Sequence, residues 1–270
     1  NFNDQILEIN GRAHLSKQVY AAYDWAQSVG FPQINIDLIA GMLEETDENW
    51  QRNIDKTLEL DPDCVTIYQM EIPFNTSIYQ SMKAAGKLVA PVADWDTKRR
   101  WVKQAFAQLE SAGYTVTSAY TAVKNPDKTR FVYRDNLWRG ADMIALGVAS
   151  FGHVNRTHYQ NIKSIDPYIE AVEEERLPLQ RALHLSEDEA LVREMILQMK
   201  LGHLDVDYFQ KKFGQNILEK FGPAFRRYAD EGFLTIDGST VRLDRDALLQ
   251  VDAMLPSFFL PQHQNVERYT

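Results

Sequence analysis

Apolar residues in the first part of the chain follow two spacings, one helical and one typical of strands. Residues 3–29 and 46–60 place apolar side chains at helical intervals, which predicts helices in both segments. Residues 34–41 and 64–70 are short, branched apolar runs that predict buried parallel strands. These strands begin about thirty residues apart, which is the period of a βαβ unit.

The middle of the chain has less regular patterns. Residues 94–112 predict a helix, and residues 114–123 alternate and are rich in Val, Thr and Tyr, which predicts a strand. Residues 124–136 are polar and predict a loop. Residues 143–154 are apolar and interrupted by glycine, which predicts a strand followed by a tight turn, and residues 167–175 predict a short helix.

Helical signals dominate from Pro178 onwards. Ser186 and Glu189 form a predicted capping box that opens a helix, and further helices are expected to begin at Asp205 and Asn216. A predicted hairpin turns at Asp237-Gly238, and residues 246–255 predict a last helix. Helices combined with a hairpin favour a winged-helix-like unit.

The fold class predicted from these patterns is α/β, with two domains. Residues 1–177 are expected to hold β/α units with closing strands, and residues 178–270 a mostly helical, winged-helix-like domain. The chain opens at Asn1 without a methionine, and its first two strands are typical of the last members of a longer series. We therefore expect the chain to begin within a domain.

Charge and cysteine content narrow the function classes. The net charge is −9, and residues 205–256 hold seven Lys or Arg against nine Asp or Glu, so we expect no nucleic-acid binding. No apolar run approaches the roughly 20 residues that a membrane span needs. Cys64 is the only cysteine, which excludes an internal disulfide and a multi-cysteine metal site. A cytoplasmic protein is expected.

Polar residues at the ends of the two predicted strands are the first candidates for chemistry. Asp37 interrupts an apolar strand, and it either contacts a ligand or is satisfied by neighbouring backbone or by Arg12. Tyr68, Gln69 and Glu71 follow the next strand, where they suit an adenine or ribose contact, although ordinary polarity at a strand end explains them as well.

A second group of candidates lies in residues 134–139. Arg134 and Arg139, with Asn136 between them, suit a substrate that carries several carboxylates, because guanidinium pairs with carboxylate through two hydrogen bonds. A solvated charged loop is the alternative. His153 and His158 do not have the spacing of a metal pair, so no metal site is expected, and no catalytic residue is assigned.

Several segments, in order, resemble one enzyme family. They are Phe2-Asn3-Asp4 with Gly11-Arg12-Ala13-His14, NIDLIAG at residues 35–41, Tyr68-Gln69-Met70-Glu71 with Asn75-Thr76, Trp138 through Gly147-Val148, Asn155-Arg156, and Asn161. Together they resemble the radical-SAM family of oxygen-independent coproporphyrinogen III oxidases. The family also includes heme chaperones, anaerobic heme-degrading enzymes and radical methyltransferases.

The resemblance implies a partial (β/α) radical-SAM barrel followed by a winged-helix-like domain. It implies S-adenosylmethionine and a [4Fe–4S] cluster as cofactors, with Arg12 and Asp37 contacting S-adenosylmethionine. Tyr68, Glu71 and Phe151 would lie near the nucleoside or near a second S-adenosylmethionine molecule. The CxxxCxxC loop that holds the cluster in this family is absent from the chain. At about thirty residues per β/α unit, a missing half of at least ~120 residues is expected.

The function implied by the resemblance is radical chemistry on a tetrapyrrole, either oxidative decarboxylation of propionate side chains or a methylation. The chain alone is expected to be inactive and to dimerise through the open face of the barrel. A heme chaperone that uses His153 or His158 as an axial ligand is the alternative, since Cys64 is expected to be buried. A free-standing interaction module is a third possibility.

Overall fold

The computed structural model describes residues 1–72 and 92–264, so Asn75 and Thr76 of the resemblance lie outside the described residues. The helices are α1 (Asp4–Ile9), α2 (Ser16–Val29), α3 (Asp47–Leu60), α4 (Trp95–Ser111), α5 (Val132–Trp138), α6 (Ile165–Glu173), α7 (Glu187–Met199), α8 (Val206–Phe213), α9 (Ile217–Lys220), α10 (Gly222–Asp230), α11 (Arg245–Leu248) and α12 (Val251–Met254). Two 3₁₀ helices follow, Leu255–Phe258 and Pro261–His263.

The strands form three small sheets. They are β1 (Asn35–Ala40), β2 (Cys64–Gln69), β3 (Thr115–Val116), β4 (Thr121–Val123), β5 (Phe151–Val154), β6 (Thr157–Asn161), β7 (Leu179–His184), β8 (His203–Asp205), β9 (Leu234–Asp237) and β10 (Thr240–Leu243). The sheet orders are β1-β2-β4-β3, β5-β6-β7 and β8-β10-β9. None of these sheets closes on itself.

The described residues divide into two compact units. The first contains Asn1–Arg130 and Arg245–Val251, and the second contains Phe131–Asp244 and Asp252–Gln264. The domain boundary that the sequence predicts at residue 177 falls inside the second unit. The division of the chain into two domains at this residue stays a prediction. None of the helices within residues 1–72 and 92–264 has the length and apolar character that a membrane span requires.

The first unit packs α3 and α4 against one face of its four-stranded sheet. Local signals fix these helices: Thr46 accepts a hydrogen bond from the Asn49 amide at the start of α3, and Asp94 accepts one from the Thr97 amide at the start of α4. At the centre of the core the indole rings of Trp50 and Trp101 stack with their centroids 5.8 Å apart. The β1–β2 pair is parallel, as predicted, while β2–β4 and β3–β4 are antiparallel.

The prediction of one continuous strand over residues 114–123 is wrong. The segment folds into the short β3–β4 hairpin. Ser118 is fully buried in the turn, and its Oγ accepts hydrogen bonds from the amides of Tyr120 and Thr121 at 3.2 and 3.1 Å. A serine side chain that binds nearby amides in this way competes with the strand ladder and reverses the chain.

In the second unit, the loop predicted for residues 124–136 is wrong in its second half, where α5 begins at Val132. The Arg134 guanidinium carbon lies 4.8 Å from the Phe131 ring centroid and 5.1 Å from that of Trp138, so one face of the short helix is held together by cation–π contacts. The polar residues of the segment predict a loop, whereas these contacts favour a helix from Val132.

The strand predicted for residues 143–154 forms only at its end, as β5. Met143 joins β5 through a single bridge to His153. Gly147 and Ala149 have φ angles of 90° and 59°, in the left-handed region, and this interrupts the extended run. Strands β6, β7 and β8 were not predicted at all.

The C-terminal helices were largely located by local signals. The Ser186–Glu189 capping box and the Asp237-Gly238 hairpin are confirmed. The helix predicted from Asn216 is divided at Phe221, and a new helix begins at Gly222 with Pro223 in its first turn. The last predicted helix is divided into α11, α12 and a 3₁₀ turn. The mixed α/β class is confirmed, while the barrel portion and the winged-helix-like arrangement stay predictions.

Candidate functional site

In the part of the chain that the structure describes, α3 and α4 pack on one face of the β1–β2 pair, and the opposite face is called the open face here. In the parallel register Asn35 lies opposite Cys64, Asp37 opposite Thr66, and Ile39 opposite Tyr68. Side chains of register partners stand on the same side of a sheet, and alternate residues share a face. The core residues Leu38 and Ile67 therefore occupy one face, while Asp37 and Tyr68 share the other.

A short chain of hydrogen bonds runs across this open face. The Thr66 hydroxyl donates to Asn35 Oδ1 at 2.9 Å, and Asn35 Nδ2 donates to Asp37 Oδ1 at 2.6 Å. The expectation that Asp37 is buried is wrong, because it lies exposed on an edge strand. Its partner is Asn35, and no hydrogen bond or ion pair among the described residues joins it to Arg12, which is exposed in the turn after α1.

The aromatic part of this face comes from Tyr68, whose ring is 47% exposed and stacks on Tyr120 with centroids 6.1 Å apart. Gln69 points to the core side instead, where its Nε2 donates to the Leu249 carbonyl at 2.9 Å. The fold therefore brings Asp37 and Tyr68 to one face and takes Gln69 away from it. Glu71 follows β2 and is exposed.

Two titratable residues near the carboxyl ends of β1 and β2 were missed by sequence reasoning. Glu45 accepts hydrogen bonds from the amides of Gly41 and Met42 at 2.8 and 3.1 Å, and burial raises its pKa to about 7. Lys98 is buried, and its Nζ donates to the Met70 carbonyl at 2.8 Å and lies 3.7 Å from the Trp95 ring centroid. Burial lowers the pKa of Lys98.

A signal for Lys98 existed in the sequence. It precedes Trp101, Val102 and Ala105 at helical spacing, so it occupies the apolar stripe of α4. A lysine on such a stripe either extends its amine to solvent or pairs with a polar group. Here the amine pairs with the carbonyl group that follows β2.

The second unit holds the predicted substrate residues. Arg134 pairs with Asp135, with Nη2 and Oδ1 2.8 Å apart. The side chains of Asn136 and Arg139 are exposed, and the Arg139 carbonyl accepts hydrogen bonds from Lys212 Nζ at 2.8 Å and Tyr208 Oη at 3.2 Å. The structure thus places the three residues on or next to one helix, which makes a common ligand geometrically possible.

Phe151 lies on the sheet of the second unit and stacks on His158, with ring centroids 5.6 Å apart. His153 is buried on the same face, and burial, with the positive charge of Arg193, lowers its pKa to about 4. The pKa of His158 is also lowered, first by burial and then by Arg193 and Arg181. Both imidazoles are therefore neutral at pH 7.

Comparison with known proteins finds a family model that matches part of the chain. Residues 185–249 match the model of the HemN C-terminal domain. This part of the chain is similar to a HemN C-terminal domain. The heme chaperone HemW of Bacillus subtilis is 22% identical over 95% of this chain and 67% of its own length. An oxygen-independent coproporphyrinogen III oxidase of Synechocystis is 22% identical over 85% of this chain and 54% of its own length.

A solved structure has the same fold. The coproporphyrinogen III oxidase HemN from Escherichia coli, described as a radical SAM enzyme, superimposes with a TM-score of 0.77 at 19% identity and covers 96% of this chain and 62% of its own. The chain thus spans between about half and two thirds of the length of these relatives. The resemblance to the coproporphyrinogen oxidase and heme chaperone family is confirmed.

Proposed function

We propose that the protein carrying this chain is a radical-SAM enzyme that acts on a tetrapyrrole, by oxidative decarboxylation of propionate side chains. The open face of β1 and β2 is the observation that carries the proposal. A core strand pair whose second face bears an oriented carboxylate and an exposed tyrosine is suited to a nucleoside, because the carboxylate accepts from ribose hydroxyls and the ring stacks on a base.

The residues of this face fit S-adenosylmethionine. Asp37 is held by Asn35 and accepts hydroxyl hydrogens, Tyr68 offers its ring, and Arg12, Glu71 and Phe151 are assigned to the same cofactor by resemblance to the family. Bound S-adenosylmethionine supplies the 5′-deoxyadenosyl group of radical chemistry. In this proposal the chain binds and orients that cofactor.

The residues do not fit an iron–sulfur cluster. Cys64, the only cysteine, is buried in the core, and no group of three His, Cys, Asp or Glu within residues 1–72 and 92–264 is arranged to hold a metal. A [4Fe–4S] cluster needs several thiolates. The cluster of this proposal therefore belongs to a part of the protein outside this chain.

The exposed edge of β1 supports the proposed barrel portion. Among the described residues, β1 pairs with β2 on one side and with no strand on the other. An unpaired parallel edge strand is a template for a further strand. The chain alone is proposed to dimerise through the open face of the barrel beside this edge, and light scattering that finds only a monomer at micromolar concentration would contradict this. The proposed setting is the cytoplasm, without nucleic-acid partners.

The binding of S-adenosylhomocysteine, a non-reactive analogue, tests the nucleoside site by isothermal titration calorimetry. Asp37→Asn removes the charge that accepts ribose hydroxyls, and we expect the dissociation constant to rise about tenfold. Asp24→Asn, an exposed acid on α2, is the matched control and leaves binding unchanged. Equal affinity of both variants would remove Asp37 from the site.

A heme chaperone is the second candidate, favoured by the similarity to HemW over 95% of the chain. A histidine that serves as an axial ligand must have a neutral imidazole that the heme iron can reach. His153 is 4% exposed, whereas His158 is partly exposed and lines a cavity. Titration with hemin tests this: a Soret shift that His158→Ala abolishes and the exposed control His184→Ala retains supports the chaperone.

A further inference from the structure

The second unit contains a cavity that the proposed chemistry does not use. It has a volume of about 370 Å³ and lies between the β6–β7 strands, α7 and the segment that follows the first 3₁₀ helix. Its wall is largely apolar and includes Leu183, Leu185, Val192, Ile196 and Leu260. A cavity of this size and character is typical of sites for small ligands.

Arg193 brings a positive charge to this apolar wall. Among the described residues its guanidinium forms no hydrogen bond or ion pair. Arg193 is half-buried, and burial lowers the pKa of its guanidinium. A half-buried cation without a partner is costly, so this position favours an external anion.

The nearest acids on α7 are engaged elsewhere. Glu189 stands one turn before Arg193, where an ion pair is expected, yet its carboxylate accepts from the Ser186 amide at 2.8 Å and lies 2.6 Å from His263 Nε2. These contacts hold the pKa of Glu189 at about 2. Glu194 pairs with Lys212 at 2.8 Å. Neither carboxylate forms an ion pair with Arg193, and the charge of Glu194 acts on it only at longer range.

His158 completes the polar part of the wall. Its Nδ1 is buried and has no hydrogen-bond partner in the part of the chain that the structure describes. The imidazole is neutral at pH 7, so the fixed positive charge at this end of the cavity comes from Arg193. The wall thus combines the Arg193 guanidinium, the neutral His158 imidazole, the Glu189–His263 pair and apolar side chains.

We propose that this cavity binds a carboxylate carried on an apolar body, with the carboxylate on Arg193 and the apolar part against Leu183, Val192 and Ile196. Guanidinium binds carboxylate through two charge-assisted hydrogen bonds, and the aliphatic wall removes the rest of the ligand from water. A free aliphatic acid and a propionate arm of a tetrapyrrole share this chemistry. The site lies within one unit and does not rest on the proposed radical reaction.

Decanoate, below micelle-forming concentration, is the probe for isothermal titration calorimetry. We expect saturable binding that Arg193→Gln weakens about tenfold or more, while Arg193→Lys retains part of the affinity. Arg242→Gln, an exposed arginine on β10, is the matched control and leaves binding unchanged. Ile196→Trp, which fills the cavity, abolishes binding without removing a charge. Decanol, without a charge, should bind the wild type and Arg193→Gln equally.

Equal decanoate affinity of the wild type and Arg193→Gln, with both variants folded by circular dichroism, would overturn the proposal. Undiminished binding to Ile196→Trp would overturn it as well. Competition identifies the source of the carboxylate: coproporphyrin III that displaces decanoate supports a propionate arm, and decanoate that stays bound supports a free acid. None of these outcomes affects the test of the nucleoside site, in which Asp37→Asn is expected to weaken the binding of S-adenosylhomocysteine.

Discussion

Asn35 Nδ2 donates a hydrogen bond to Asp37 Oδ1 at 2.6 Å, along the open face of β1. The two residues are separated by one position, so their side chains lie on the same side of the strand. Asn35 is in turn held by the Thr66 hydroxyl of β2. An exposed aspartate is usually free to change rotamer, whereas this one is oriented by the neighbouring strand before any ligand arrives.

Removal of this support is expected to weaken the proposed nucleoside site. Asn35→Ala leaves Asp37 in place without its amide partner, and we expect the dissociation constant of S-adenosylhomocysteine to rise about two- to tenfold. The melting temperature should change little, because Asn35 is exposed. Ser28→Ala on α2 serves as the control. Binding that is unchanged in Asn35→Ala would show that the network does not prepare the site.

Glu45 gives the first unit a pH-dependent stability. Its pKa is raised from an ordinary value of 4.5 to about 7, first by burial, so the folded state binds a proton that the unfolded state releases. The stabilisation is fully present below pH 4.5 and is lost as the pH rises through about 7, and the shift corresponds to at most about 3 kcal/mol.

Thermal unfolding between pH 5 and 8 measures this effect. Glu45→Gln carries no titratable group, so its curve should lack the fall in stability that the wild type shows over this range. Glu48→Gln, an exposed acid in the first turn of α3, should behave like the wild type. A wild-type curve parallel to that of Glu45→Gln would show that the carboxylate titrates outside this range.

Trp50 is the most deeply packed large side chain of the first unit. It is 1% exposed, stacks on Trp101 and donates its Nε1 hydrogen to the Trp101 carbonyl at 3.0 Å. Trp50→Ala is expected to lower the free energy of unfolding by about 3–5 kcal/mol. Trp25→Ala, which truncates an indole that is 71% exposed, should change it by less than about 0.5 kcal/mol. Urea unfolding measures the free energy of unfolding of both variants. Similar losses in Trp50→Ala and Trp25→Ala would contradict the central position of Trp50 in the core.

Arg134 is the residue of the α5 group that we expect to contact substrate carboxylates. In the full-length enzyme, Arg134→Ala should raise the KM for coproporphyrinogen III by about tenfold and leave the dissociation constant of S-adenosylmethionine unchanged. Arg130→Ala, an exposed arginine just before α5, is the control. If Arg134→Ala weakened both affinities equally, Arg134 would have no specific substrate role, because this result would indicate a general disturbance of the helix.

The elements that the sequence located are those with local signals. Thr46, Asp94 and Ser186 each cap a helix through their own side chains, and Asp237-Gly238 sets a hairpin turn, so neighbouring residues suffice to predict them. The parallel strands were recognisable because the apolar run of each is complete within a few residues. The likeness to the family rested on the order of such segments.

The features that were missed depend on partners distant in sequence. The hairpin after α4 forms because β4 pairs with β2, whose paired residues lie 55 to 59 positions earlier in the chain. Strands β6 and β7 acquire their structure from each other. The raised pKa of Glu45 reflects burial that only the folded chain provides. Asp37 was expected to be buried because its neighbours are apolar, but its side chain lies exposed on the face of β1 opposite the core residue Leu38. No pattern in the sequence marked Arg193, because what sets it apart is structural: among the described residues, no acid forms an ion pair with it.

The most direct test of the central claim is an activity assay on the full-length gene product, with its iron–sulfur cluster reconstituted under anaerobic conditions. The account predicts that reduced enzyme, S-adenosylmethionine and coproporphyrinogen III yield 5′-deoxyadenosine and carbon dioxide, and that Asp37→Asn lowers both while Asp24→Asn does not. Tight heme binding without formation of either product would contradict the proposed enzyme activity and would support a heme chaperone.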